Sequence, residues 1–159
     1  LQWLYQAVKQ PDVVAVGECG LDKLRGASMS LQQEVFRACV SLAEQMHLPL
    51  VVHAVKCTEE LFRIHKELKP QMPWIIHGFR GRKEVAEQCL KRGFYLSFGE
   101  HFHDEALRST PLERLLLETD ESRLSMEEIC RKAASVYGLP AEILAARITS
   151  NAQKVLFLQ

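Results

Sequence analysis

The sequence has no excess charge of either sign: 20 Lys and Arg stand against 20 Asp and Glu in 159 residues. That balance excludes a bulk-basic nucleic-acid binder and leaves any phosphate recognition to local clusters. No apolar run approaches the roughly 20 residues that a membrane-spanning helix requires, so no membrane partner is expected. There is no CxxC pair either. The five cysteines, Cys19, Cys39, Cys57, Cys89 and Cys130, are odd in number and scattered. They read as reduced thiols of a cytoplasmic protein rather than a disulfide framework. Cys39, Cys89 and Cys130 fall on apolar helix faces, where a thiol acts as a small hydrophobe. The opening Leu1-Gln2-Trp3-Leu4-Tyr5 lacks the basic region and cleavage pattern of a signal peptide. It also lacks an initial methionine, and the expectation is that the sequence starts inside a longer protein. Linkers, low-complexity stretches and internal sequence repeats are missing too, which points to one domain over residues 1–159.

What is present is a globular composition, 47% hydrophobic and 25% charged, in which short apolar runs alternate with amphipathic ones. Residues 13–16, 50–52, 74–76, 94–98 and 115–117 are apolar without alternation, as in strands covered on both faces of a parallel sheet. Between them, Leu31, Val35, Cys39, Leu42, Ala43 and Met46 recur at helical spacing after Ser30. Thr58 is placed to cap a helix carrying Leu61, Ile64 and Leu68. Val85, Cys89 and Leu90 mark a third helix, closed by Gly93. Ser125 and Glu128 have the spacing of a capping box ahead of the Met126, Ile129, Cys130, Ala133 and Tyr137 stripe. Gly138 stops that helix and Pro140 opens the last one. Five strand–helix units fit an open doubly wound sheet or part of a (β/α)8 barrel; a complete barrel takes at least about 200 residues.

In parallel α/β folds the chemistry sits at the carboxyl ends of the strands. Read that way, Glu18 follows the first strand, His53 the second and His77 the third, and Asp120 lies just beyond the fifth. Carboxylates and imidazoles brought to one rim suit a divalent ion that activates water, and a carboxylate can bridge two ions. Taken singly, each has a plainer explanation: a satisfied histidine, a capping aspartate, or a glutamate paired with Lys23 or Arg25. His47 and His65 read as structural.

Four ordered segments resemble the TatD-type metal-dependent deoxyribonucleases. Residues 14–22, Val-Ala-Val-Gly-Glu-Cys-Gly-Leu-Asp, are similar to that family's Gly-Glu-x-Gly-Leu-Asp motif. Leu48-Pro49-Leu50-Val51-Val52-His53 resembles its next strand, and Ile75-Ile76-His77-Gly78-Phe79-Arg80-Gly81 its His-x-Phe-x-Gly segment. Leu115-Leu116-Leu117-Glu118-Thr119-Asp120 resembles the end of its last strand. The resemblance implies an amidohydrolase-like (β/α)8 TIM barrel, present here as strands four to eight. It implies two divalent ions, Mg2+ or Mn2+ before Zn2+ or Ni2+, with Glu18 bridging them. His53 and His77 would complete one shell, and Asp120 would hold the other ion and position or deprotonate the attacking water. The implied activity is hydrolysis of DNA phosphodiesters, most simply as an exonuclease, with Glu18 and Asp120 catalytic.

Three departures from the family pattern stand out. Nothing before Glu18 supplies the family's opening His-x-His pair; His101-Phe102-His103 has that form but reads as a surface loop. Val55 stands where an arginine often follows the second-motif histidine, leaving the adjacent Lys56 as the phosphate-binding candidate. The proline-bearing segment after the terminal aspartate is replaced by Glu121-Ser122-Arg123-Leu124. Arg80, between Phe79 and Gly81, is the second substrate-binding candidate. Phe79 itself is open between stacking on a base and filling the core; Lys83 reads as a solvated helix start. Two other readings remain: a related metal hydrolase of lactones, amides or other phosphoesters, and a truncated inactive relative.

Overall fold

Short leucine- and valine-rich strands are buried between longer helices whose apolar stripes face them, the expected outcome where strand runs do not alternate. The computed structural model describes residues 2–157. Its described chain divides between Ile75 and Ile76 into two compact units.

The first unit begins with a short helix, α1 (Gln2–Ala7), and continues through β1 (Val16–Asp22), α2 (Met29–Met46), β2 (Leu50–Val55) and α3 (Thr58–Leu68) into β3 (Trp74–Ile76). The strands stand in the order β1-β2-β3. β1 and β2 are parallel, with Val16 opposite Leu50 and Gly20 opposite His53. The register slips between Val16 and Cys19. α2 buries Phe36, Cys39, Val40, Leu42 and Ala43. Phe36 meets the Trp74 ring edge-on with centroids 5.2 Å apart, and His65 of α3 meets the same ring at 4.9 Å. His65 is therefore a packing residue, as expected. His47 closes α2 in the left-handed conformation, φ 54°.

Several expectations in this unit are corrected. Residues 13–15 precede the first strand, which starts at Val16 and runs on through both glycines to Asp22. Glu18 accordingly lies inside β1, and His53 inside β2, rather than after them. The cause is the close approach of β2: a Cβ on Gly17 would lie 2.7 Å from the Val51 Cβ. Glycine here admits a neighbouring strand instead of ending one. Thr58 is the first residue of α3 and not its cap; Cys57 occupies the N-cap position without a side-chain cap bond. On α2, Leu31 and Val35 are exposed, so the buried apolar stripe begins only at Phe36.

The second unit contains α4 (Lys83–Lys91), β4 (Tyr95–Phe98), α5 (Asp104–Ser109), a 3-10 turn at Leu112–Arg114, β5 (Leu115–Leu117), α6 (Met126–Tyr137) and α7 (Ala141–Phe157). β4 and β5 are parallel, pairing Leu96 with Leu115 and Phe98 with Leu117. The Ser125 hydroxyl accepts the Glu128 amide while the Glu128 carboxylate takes the Ser125 N–H, completing the expected capping box. Gly138 caps the other end at φ 67°. α5 and the 3-10 turn carry no strong signal in the sequence. The turn is held from α7 by the buried Asn151, whose side-chain amide donates to the Leu112 and Leu115 carbonyls at 2.5 and 2.8 Å. That bond delivers the chain into β5 at a defined point.

Candidate functional site

In the first unit the two expected ligands meet. Glu18 Oε1 lies 3.0 Å from His53 Nδ1. The other ring nitrogen, Nε2, lies 3.3 Å from Asp22 Oδ2. Asp22 is itself tightly held. Its Oδ1 accepts the Leu24 and Arg25 amides at 2.7 and 3.1 Å. Its backbone is clamped by the Gln32 side chain, whose Oε1 accepts the Asp22 N–H at 2.7 Å while Nε2 donates to the Asp22 carbonyl at 3.0 Å. The same Gln32 amide reaches the Arg25 and Ala27 carbonyls, closing the loop between β1 and α2 around one side chain. The Leu24 amide first, then His53 and the Arg25 amide, hold the Asp22 carboxyl below its ordinary range. A shallow cavity of about 260 Å³ lies along this loop, lined by Lys23, Arg25 and Met29 among others. Lys23 pairs with Glu60 at 2.7 Å. Of the alternatives weighed for Glu18, the contact found is with His53, while Lys23 is taken by Glu60.

The second unit gathers His77, Glu118 and Asp120. One ligand atom from each falls within 4.8 Å of the others. His77 follows β3 directly, and its Nδ1 is 3.3 Å from Glu118 Oε1. The same oxygen accepts the Gly78 amide at 2.7 Å, and Oε2 accepts the Ser97 hydroxyl. Burial alone would raise the Glu118 carboxyl, yet His77, Ser97 and the Gly78 amide outweigh it and hold the group below the usual glutamate range. Asp120 sits in a turn closed by the Ser122 amide on the Thr119 carbonyl, at φ 45°, with its side chain exposed.

Imidazole nitrogens and carboxylate oxygens, from half-buried His53, His77 and Glu118 and exposed Glu18 and Asp120, form a donor set that fits a hard or borderline divalent ion. Like-charged carboxylates packed at this distance, Glu118 with Asp120, are costly unless a cation or proton lies between them.

The loop residues sort less evenly. Lys56, in the left-handed conformation at φ 52°, and Arg80 are both exposed, just after β2 and β3 respectively. Phe79 is a core residue: it is buried, its ring meets Phe98 edge-on at 5.3 Å, and its amide donates to the Ser97 carbonyl. Lys83 begins α4 in solvent and faces Glu87 at 3.9 Å. His101 and His103 are exposed in the loop between β4 and α5, with His101 against Glu100 at 3.1 Å. Neither belongs to a metal-type cluster among the described residues. The surface-loop reading holds for them.

Sequence reasoning assigned no role to Glu118, Asp22, Gln32 or Ser97. Glu118 and Asp22 are acids within the motifs themselves, next to or near a ligand candidate, which was the available signal. Gln32 and Ser97 carried none.

The model of the family described as TatD related DNase matches residues 1–157. The chain is 38% identical over 129 residues to YabD of Bacillus subtilis, named an uncharacterized metal-dependent hydrolase, with 76% of this chain and 51% of YabD covered. It is 34% identical over 148 residues to the 3'-5' ssDNA/RNA exonuclease TatD of Citrobacter koseri, covering 85% of this chain and 56% of that protein. The chain thus spans about half the length of these two relatives. Among solved structures, the TatD homologue YJJV of Escherichia coli superposes with a TM-score of 0.87 at 24% identity, over 99% of this chain and 70% of that one. A TatD family hydrolase from Entamoeba histolytica gives 0.81 at 19% identity, over 98% and 72%. At these identities the solved structures carry the fold: an α/β chain of five parallel strands, of the TIM-barrel type.

Proposed function

The chain belongs to the TatD-related DNase family, and from that premise we propose that it hydrolyses DNA phosphodiester bonds with the help of bound divalent ions. The observation that carries this reading is the convergence of His77 with the Glu118 and Asp120 carboxylates, one donor atom of each within 4.8 Å of the others, a concentration of acid that a cation relieves. The Glu18–His53 contact at 3.0 Å supports it from the first unit.

In this reading Glu18, His53, His77 and Asp120 are the metal ligands, with Glu18 in the bridging role that the motif resemblance implies. Two ions of the Mg2+ or Mn2+ kind suit the carboxylate-rich donors. Ions held by these residues would polarise a phosphoryl oxygen and would lower the pKa of a nearby water. Asp120, exposed and at the mouth of its turn, orients the attacking water and accepts its proton. That water's oxygen then forms the new bond to phosphorus as the bond to the sugar oxygen breaks, and the departing oxygen takes a proton from solvent to leave as the alcohol. Arg80 and Lys56, unburied beside the ligand-bearing strands, hold flanking phosphates by charge-assisted hydrogen bonds. Residues 1–159 act as a single hydrolase domain, and five thiols, four of them buried, suit a reducing cytoplasm. Among the described residues no helix is long and apolar enough to cross a membrane.

The test is cleavage of end-labelled single-stranded DNA with Mg2+ or Mn2+, beside EDTA and Glu18→Gln controls and a lactone substrate. Metal-dependent cleavage that disappears in Glu18→Gln, with an unchanged circular-dichroism spectrum, is the expected result. Lactone turnover without DNA cleavage would move the chain to another hydrolase class.

A further inference from the structure

Both histidines proposed as ligands are met by a second carboxylate that the catalytic scheme does not use. A neutral imidazole has one N–H and one lone pair. When a metal takes the lone pair, the opposite nitrogen must keep its proton, and an acceptor at that nitrogen fixes both the tautomer and the ring plane. The two rings are approached from opposite sides. His77 is met at Nδ1 by Glu118 at 3.3 Å, and His53 is met at Nε2 by Asp22 at 3.3 Å.

We infer that Asp22 and Glu118 are positioning residues that lock the two rings in opposite tautomers. His53 is held protonated on Nε2 and offers Nδ1, the nitrogen that faces Glu18; His77 is held protonated on Nδ1 and offers Nε2. This rests on the reading of the two histidines as ligands and adds how each is aimed.

Three features make these carboxylates fixed acceptors rather than ligands. Glu118 takes both the Gly78 amide and the His77 Nδ1 contact on Oε1 and the Ser97 hydroxyl on Oε2, so both of its oxygens are already oriented by protein donors. Asp22 accepts two amides on Oδ1, which leaves only Oδ2 turned to the ring. Gln32 pins the Asp22 backbone on both its N–H and its carbonyl, so the carboxylate cannot follow the ring if the ring turns. His53 stands between two acids, but they differ in freedom. Glu18 is the more exposed of the two, and its carboxylate has to turn toward an ion, whereas Asp22 is tied down. The proton therefore belongs on the Asp22 side.

The experiment reads the rings directly. Long-range 1H–15N correlation of the protein loaded with diamagnetic Mg2+ assigns the tautomer of each histidine, and calorimetric titration with Mn2+ gives affinity, for the unaltered protein and for Asp22→Asn, Asp22→Ala, Glu118→Gln and Glu118→Ala. Opposite tautomers are expected in the unaltered protein. Asp22→Ala should release His53 alone, and Glu118→Ala should release His77 alone. Mn2+ affinity should fall by about 10- to 100-fold in the alanine variants and by less in the isosteric amides, which keep an acceptor oxygen. Should an alanine variant fail to fold, Gln32→Leu serves for Asp22 and Ser97→Ala for Glu118, since each unpins a carboxylate without touching a ring. Like tautomers in the unaltered protein, or Mn2+ affinity within twofold in every variant, would overturn the inference. Opposed tautomers in a protein that binds Mn2+ but cuts no DNA would uphold it and fault the nuclease reading instead.

Discussion

Gly20 and His53 face each other across β1 and β2 so closely that a Cβ on Gly20 would lie 1.9 Å from the His53 carbonyl oxygen. The absence of a side chain at one position is therefore what allows the ligand-bearing strand to lie at the other. Gly20→Ala has to push β2 away, and because the atom in the way is backbone it cannot swing aside. A loss of about 3 kcal/mol is expected in urea unfolding, together with loss of Mn2+ binding. A loss below about 1 kcal/mol would mean that β1 can shift without harm.

Arg80 and Lys56 are both exposed, in the loops that follow β3 and β2. Arg80→Ala and Lys56→Ala should therefore raise KM for single-stranded DNA by about tenfold while leaving kcat within about twofold, the signature of lost substrate binding. Steady-state kinetics at two salt concentrations checks this. A fall in kcat at unchanged KM would place either residue in the chemical step.

Glu118 is held below the ordinary glutamate range in the folded protein. A depressed folded pKa contributes stability that is present above the unfolded value, about 4.3, and is lost as pH falls through the folded value. Glu118→Gln should thus be less stable than the unaltered protein at pH 7, with the gap closing as the medium becomes more acidic than about pH 4. Melting curves across that range, without added metal, supply the measurement. A gap independent of pH would assign the difference to packing rather than to charge.

Ser125 caps α6 through the Glu128 amide and receives the Glu128 carboxylate in return. Removing the hydroxyl leaves an orphan amide at the helix start, so Ser125→Ala should cost about 1 kcal/mol. DNA cleavage at a temperature well below the melting transition should be unaffected, because the cap touches none of the proposed ligands. Chemical denaturation beside the cleavage assay separates the two effects.

The strand–helix alternation, the Ser125 capping box, the Gly138 stop and the order of Glu18, His53, His77 and Asp120 were all legible in the sequence. Each depends on local spacing: apolar runs too short for helices, cap residues at set offsets, and acids or histidines directly after apolar runs. Where the first strand begins was not legible. Residues 13–16 are more β-branched than residues 17–22, and Gly17 and Gly20 read as breaks until a neighbouring strand is seen to need their missing side chains. Thr58 misled for a related reason, since a residue suited to capping was already the first of its helix.

Residue types at set spacings thus determined by themselves which donors this chain offers and on which strands. Only the tertiary structure decided what each donor faces. Gln32 reaches Asp22 across ten residues, Asp22 reaches His53 across 31, and Ser97 reaches Glu118 across 21. Contacts of that kind follow from strand register and loop closure rather than from any periodicity along the chain. The orientation of an imidazole is set by the acceptor at its far nitrogen, and here both acceptors arrive from distant positions in the sequence.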